Sequence, residues 1–171
     1  TIEPLRPSLT PLVTSHPRMS RLSRLLLRNV RATLWVDDGP VREEFGELGF
    51  SERGIEGAVA LRMSRDAVDA LIDGRRVKLV VDLKPALTEQ VLRDRIAREL
   101  AEMQPTEFFS ELLRKLLPAP LVLPLAAEID IPSKQYVSKL TEAEITRLIR
   151  TLKGLTLPVT DYAPFEYAVT T

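Results

Sequence analysis

Glu43, Glu44, Glu47, Glu52 and Glu56 cluster in the first half of the sequence. Two carboxylates held in different surroundings are what general acid/base chemistry needs, although charge on a solvated strand and turn is the simpler reading of these five. Within the cluster runs Ser51-Glu52-Arg53-Gly54-Ile55-Glu56-Gly57, leading into Ala58-Val59-Ala60-Leu61. Glycines at 54 and 57 let the backbone turn tightly and would let a ligand approach the N-terminus of the next helix, where free N–H groups favour anions. Glu56 opposes an anion there, and a tight turn with a close helix contact explains the same glycines. The one histidine, His16, sits in a proline-rich stretch and reads as an exposed loop residue rather than as the base of a triad. With no cysteine, disulfides and thiolate metal sites are excluded, and a conventional zinc site would be almost all carboxylate. Neither GxGxxG nor a GxxxxGKS/T phosphate loop occurs. No catalytic constellation is visible, and the chain carries no nucleotide cradle of its own.

The elements that would position the glycine turn are legible around it. Val30, Ala32, Leu34 and Val36 alternate with polar neighbours and Trp35, the period of a half-buried strand. Asp37-Asp38-Gly39-Pro40 is a hairpin turn, and Val41 to Phe50 returns as the partner strand. Before them, residues 1–17 hold four prolines and read as an extended path with a short strand over Ser8 to Thr14; Met19 to Arg28 is basic, and Arg18, Arg21, Arg24 and Arg28 could form an anion-binding patch, although a loop or short helix with wet arginines is the simpler reading. After the turn, a helix is expected from about Glu56 to Ile72, with Ser64 able to restart it and Gly74 ending it. Val77 to Asp82 reads as a strand buried on both faces at the centre of a sheet.

A helical block follows. Thr88 caps a helix with Val91, Leu92, Ile96 and Leu100 on one stripe, and Pro105-Thr106-Glu107 opens the next. Leu121 to Ala127 is a short apolar helix interrupted at Pro124, and a capping box of Thr141 with Glu144 starts a helix over Glu142 to Lys153. Leu157 to Thr160 and Glu166 to Thr170 are strand-like again, around an Asp161-Tyr162-Ala163-Pro164 turn cluster. Strands this late need partners from early in the chain. The fold class is therefore α+β, a small β-barrel or strongly curved mixed sheet interrupted by a helical subdomain. In chain order these are a crossing segment with a short strand at 1–28, the opening elements of the barrel (hairpin, helix and strand) at 29–86, the helical subdomain at 87–154 and the closing strands of the barrel at 155–171.

At 171 residues the chain is long enough for a real core, and its 24 basic and 24 acidic residues balance, which gives no electrostatic footprint for nucleic acid or an anionic membrane. No run is long and apolar enough for a membrane helix and the start does not resemble a signal peptide, so the expected location is cytoplasmic. Starting on Thr1 and stopping on Thr171 in mid-pattern, the chain reads as a piece of a longer polypeptide.

Several stretches resemble a bacterial flavoprotein family, the NAD(P)/FAD-dependent oxidoreductases that include aminoacetone-oxidase-like proteins and 3-dehydro-bile-acid reductases. The segment after Gly154 is similar to the family's LTVTGTRPFEEAIVTAGGV, with Pro158, Val159, Thr160, Pro164, Phe165, Glu166, Ala168, Val169 and Thr170 in agreement. Residues near the start resemble its IVPLRPSLVPL, and Asp82-Leu83-Lys84-Pro85 its DLKP or DLLP. Gly46, Glu47, Leu48, Phe50, Gly54, Gly57 and Leu61 match GELLFTHFGLSGPAVL, while Ser51 and Glu52 replace its threonine and histidine, and Glu56 and Ala58 its serine and proline. The resemblance implies an inserted domain that covers the substrate side of an FAD held by a flanking domain of the same polypeptide. On that reading Thr170 and Thr171 lie nearest the flavin, Ser51, Glu52, Arg53, Gly54, Glu56 and Gly57 face a small-molecule substrate, and this chain by itself is colourless and inactive, with no cofactor, nucleic acid or membrane of its own. Two other classes stay open: a stand-alone barrel that binds RNA or a small ligand, and an interaction domain that uses Trp35 and the Leu121 to Leu125 run.

Overall fold

The computed structural model describes residues 5–164, and the chain divides into two compact units, one of residues 1–84 with 154–171 and one of Pro85–Lys153. The first unit is a closed barrel of β1 (Leu12–Thr14), β2 (Leu25–Val36), β3 (Gly39–Ser51), β4 (Gly54–Glu56), β5 (Val77–Asp82) and β6 (Leu155–Tyr162), ordered β1-β4-β3-β2-β5-β6. Every pairing is antiparallel, so the mixed sheet allowed by the sequence does not occur among the described residues. The first and last strands are neighbours, with Leu12 opposite Tyr162 and Val13 opposite Asp161. Closure leaves no edge and no centre. β5 accordingly buries only Val77, Leu79 and Val81, with Lys78, Val80 and Asp82 half-buried on the outside, in place of the two buried faces expected.

The β2–β3 ribbon is longer than its alternation indicates. Met19–Arg21 forms a single 3-10 turn, and Leu25 to Arg28 are already strand. Leu27 pairs with Leu48 and Val30 with Gly46, so Arg28 and Asn29 bulge out of the ladder. The bulge moves the inward set from Leu25 and Leu27 to Val30, Ala32, Leu34 and Val36. The period of two survives on either side of it and fails across it. Trp35, on the outer face, is half-buried and lies under Lys78, whose Nζ is 5.1 Å from the ring centroid.

One helix, α1 (Ala58–Ile72), packs on the barrel through Val59, Ala60, Met63, Ala67 and Val68. It runs without a restart. Ser64 is fully buried and its Oγ both donates to the Leu61 carbonyl at 2.8 Å and accepts from the Thr10 N–H at 3.3 Å, tying the chain ahead of β1 to the helix. β6 continues through Asp161 and Tyr162, where a turn was expected, because both residues pair with β1. The second expected strand, Glu166 to Thr170, lies outside the described residues.

The second unit is built from α2 (Glu89–Glu102), α3 (Phe109–Leu116), α4 (Ala119–Ile129) and α5 (Glu142–Lys153). Thr88 caps α2 by accepting from the Val91 N–H, and Leu92 and Ile96 are buried, but Val91 itself is exposed. α3 starts at Phe109 rather than at the Pro105-Thr106-Glu107 turn. The Thr141–Glu144 capping box forms in full: the Thr141 N–H donates to Glu144 at 3.0 Å and the Glu144 N–H to Thr141 Oγ1 at 3.1 Å. α4 passes through Pro124 uninterrupted, since Leu121, Val122, Leu125, Ala126 and Ile129 hold it against its neighbours by burial. Of the Leu121 to Leu125 run proposed as a contact surface, only Leu123 is exposed; Pro124 is half-buried and the other three are buried.

Candidate functional site

The antiparallel pairing of β2, β3 and β4 creates the most site-like region of the barrel unit. Leu26 on β2 stands opposite Gly49 on β3, and Gly49 opposite Glu56 on β4. Phe50 and Leu25, one residue along, are buried, which puts the Leu26–Gly49–Glu56 row on the outer surface. Gly49, in the middle of the row, is itself buried, and the three residues line a cleft of about 560 Å³. Beyond it β3 turns tightly into β4 through Glu52 and Arg53, with Ser51 opposite Gly54 and the Ser51 Oγ accepting from the Arg53 N–H at 3.2 Å. On the far side of this turn is a second cleft of about 190 Å³, bordered by Thr14, Met19 and Leu22.

The expected substrate-facing residues fall on these two clefts. Ser51, Glu52 and Arg53 line both, Glu56 and Gly57 the larger, and Gly54 the smaller. The glycines have structural roles as well. A Cβ at Gly54 would lie 2.2 Å from the Leu12 carbonyl oxygen, and one at Gly57 would lie 2.9 Å from that of Glu47, both positions having positive φ. The space a ligand would need beside Gly54 and Gly57 is thus filled by the barrel's own backbone. Thr170 and Thr171 lie outside the described residues.

Sequence reasoning set Arg24 among the wet arginines without a place in the site, and missed Gly49 and His16. Arg24, exposed and lining the larger cleft, has φ of 58°, a left-handed backbone that is uncommon for arginine. Gly49, which lines the larger cleft, gave no signal, because a strand glycine reads only as a weak position. His16, expected on a loop surface, is only 4% exposed. Its Nδ1 accepts from the Arg18 and Met19 N–H groups, both at 3.1 Å, and its own N–H donates to Thr14 Oγ1 at 3.1 Å. The imidazole therefore starts the 3-10 turn beside the smaller cleft, and its Nδ1 is committed as an acceptor. It is a structural cap in a position that sequence alone reads as a linker.

Charge around the turn is unevenly satisfied. Glu44 is held by Arg42 at 2.9 Å and Arg62 at 3.2 Å, and Arg31 meets Glu43 at 3.3 Å. Two of the five clustered carboxylates are thus spent on surface pairs, worth little individually. Glu52 and Glu56 have no hydrogen-bond or ion-pair partner among the described residues, while Arg53 is engaged. The described residues hold no group of three or more side chains able to bind a metal, and no helix among them is long and apolar enough to cross a membrane.

A family model described as the HI0933-like protein barrel and H2TH domain matches residues 6–170. The chain belongs to this family. Its description names a barrel and a helical motif, and the chain divides into a barrel unit and a helical unit. The family is one of FAD-dependent oxidoreductases, so this is a domain of a flavoprotein family. No curated protein matches the chain. The glycine turn itself offers no dinucleotide cradle, since its positive-φ glycines are filled by backbone, and the charged side chains lining the larger cleft are of both signs, Arg24 and Arg53 with Glu52 and Glu56.

Proposed function

We propose that this chain is an inserted domain that covers the substrate side of an FAD held elsewhere in an oxidoreductase of the aminoacetone-oxidase-like or 3-dehydro-bile-acid-reductase-like kind. The observation that carries this reading is that the glycine turn, which resembles the family's, contains the only segment that borders both the 560 Å³ and the 190 Å³ cleft among the described clefts. The redox chemistry belongs to the flavin and to the region of the protein that binds it. What this chain's residues contribute is shape and exclusion of water: Leu26, 45% exposed, gives the larger cleft an apolar wall, and Glu52 and Glu56 offer hydrogen-bond acceptors at its rim. The barrel is a suitable support, because the cleft floor is ladder backbone rather than a free loop.

The test is made in a flavoprotein that contains this domain. Glu52→Gln and Glu56→Gln are expected to lower kcat/KM by about tenfold or more with flavin content unchanged. Unchanged substrate affinity and turnover in both variants would refute the covering role. The chain expressed alone is expected to be colourless and without oxidoreductase activity.

A further inference from the structure

Closure removes a strand's edge only where neighbouring strands overlap, and two stretches of this barrel outrun their neighbours. β4 meets β3 over Gly49 to Ser51 alone, but α1 lies along the part of β3 before it, with Arg62 reaching Glu44 and the Phe45 carbonyl and Asp66 reaching Arg42, all at 3.2 Å. That stretch is covered. β5 meets β2 over Arg31 to Val36 alone. The earlier part of β2, Leu25 to Asn29, has β3 on one side and no described strand on the other.

The ladder fixes which backbone groups face the open side. The Ser51–Gly54 pair closes a hairpin with two residues between, so it is a hydrogen-bonded pair. Bonding alternates between the two sides of a strand, so Gly49 and Ser51 bond to β4, while Leu48 and Phe50 bond to Leu27 and Leu25 of β2. Leu26, between those two, directs its N–H and C=O to the open side, and no described residue bonds to them there. Its side chain is exposed, and so are Arg24 and Arg28, two residues to either side. Neither arginine has a hydrogen-bond or ion-pair partner among the described residues, whereas Arg31, past the bulge, meets Glu43. Asp82, the last β5 carboxylate, stands opposite Arg31 and accepts from the Lys84 N–H at 2.9 Å. Around the open edge the charge is one-sided, since no acidic residue occurs between Glu3 and Asp37.

We infer that the Leu25 to Asn29 edge of β2 docks an extended acidic segment of a partner polypeptide, added as a further antiparallel strand. The partner's backbone bonds to Leu26, and carboxylates two residues either side of an apolar residue meet Arg24 and Arg28. A second copy of this chain fits badly, because two such edges centred on Leu26 would set Arg24 of one against Arg28 of the other. The inference goes beyond the covering role and does not depend on it.

The test uses the isotope-labelled 171-residue chain and two synthetic peptides, acetyl-TETVTET-amide and acetyl-TKTVTKT-amide. The glutamate peptide is expected to shift the Leu26 amide and slow its exchange with solvent, and the lysine peptide to bind about tenfold more weakly or not at all. Arg24→Glu combined with Arg28→Glu should reverse that order. Methylating the backbone nitrogen of the central valine leaves the peptide's charge intact and should abolish binding. Leu26→Pro removes the edge donor at a position where a strand tolerates proline, and should also abolish it. If that variant loses its amide dispersion, the methylated peptide decides. No change at Leu26 with the glutamate peptide, equal binding of the two peptides, or undiminished binding of the methylated one would overturn the inference. So would a Leu26 amide that shifts with protein concentration alone, which would make a second copy the occupant.

Discussion

Replacing Gly54 by alanine should damage the barrel far more than replacing Gly49, although both glycines lie on neighbouring strands of the same hairpin. At Gly54 the new methyl would start 2.2 Å from the Leu12 carbonyl oxygen and 3.0 Å from its carbon, with φ of 122°. The neighbour is backbone, so β1 must withdraw by most of an ångström. β1 is only three residues long and meets β4 through the Leu12–Ile55 pair, both of whose side chains are fully buried. Backbone strain of about 1–3 kcal/mol adds to loosened packing around Leu12 and Ile55. The expected loss is about 4 kcal/mol, near the top of the range for single substitutions. Gly49→Ala meets ordinary contacts and restricts the unfolded chain, so its effect should stay within about 1 kcal/mol of zero, in the stabilising direction. The assay is equilibrium unfolding in urea followed by emission of Trp35, the only tryptophan, which lies on β2 and reports on the barrel rather than on the helical unit. Equal midpoints for the two variants would refute the argument that β1 closes the barrel through a contact only glycine permits.

Ser64→Ala removes the acceptor of the fully buried Thr10 N–H and should cost about 1–3 kcal/mol in the same assay, whereas a surface serine would cost almost nothing. In the helical unit, Thr141→Ala should cost about 1 kcal/mol through loss of the α5 cap, read by far-ultraviolet circular dichroism during unfolding. The Thr141 N–H, foremost, holds the Glu144 carboxyl below its usual value. With the folded pKa lower than the unfolded one, the cap's contribution is complete above the unfolded carboxylate pKa and disappears as pH falls through the folded value. Glu144→Gln keeps the acceptor oxygen without the charge, and should remove that share of the acid sensitivity.

Signals confined to a few neighbouring residues were legible directly. The alternation from Val30 to Val36, the Asp-Asp-Gly-Pro hairpin, the Thr88 cap and the Thr141–Glu144 box all depend on contacts within a turn or two of chain, and all are present. The need for a late strand to find early partners is also a local inference with a distant consequence, met by β1 beside β6. Of the candidate site, the Ser51 to Gly57 turn was identifiable from its glycines and carboxylates and from a family resemblance, and it borders both clefts.

What the tertiary structure decided is everything that depends on a residue's neighbour across a strand. The bulge at Arg28–Asn29 hid the first four residues of β2, because one extra residue reverses the inward parity and makes a continuous strand look like two patterns. Barrel closure turned the apolar VKLVVD run from a doubly buried strand into one with an outer face. Burial kept Pro124 inside α4 against its intrinsic preference, and backbone donors arriving from Arg18 and Met19 made a cap of His16. The division among the glycines was likewise decided in three dimensions. Gly54 and Gly57 are required by backbone that comes from β1 and β3, while Gly49, buried between Leu26 and Glu56, meets only ordinary contacts, and it is the strand register that separates the two cases.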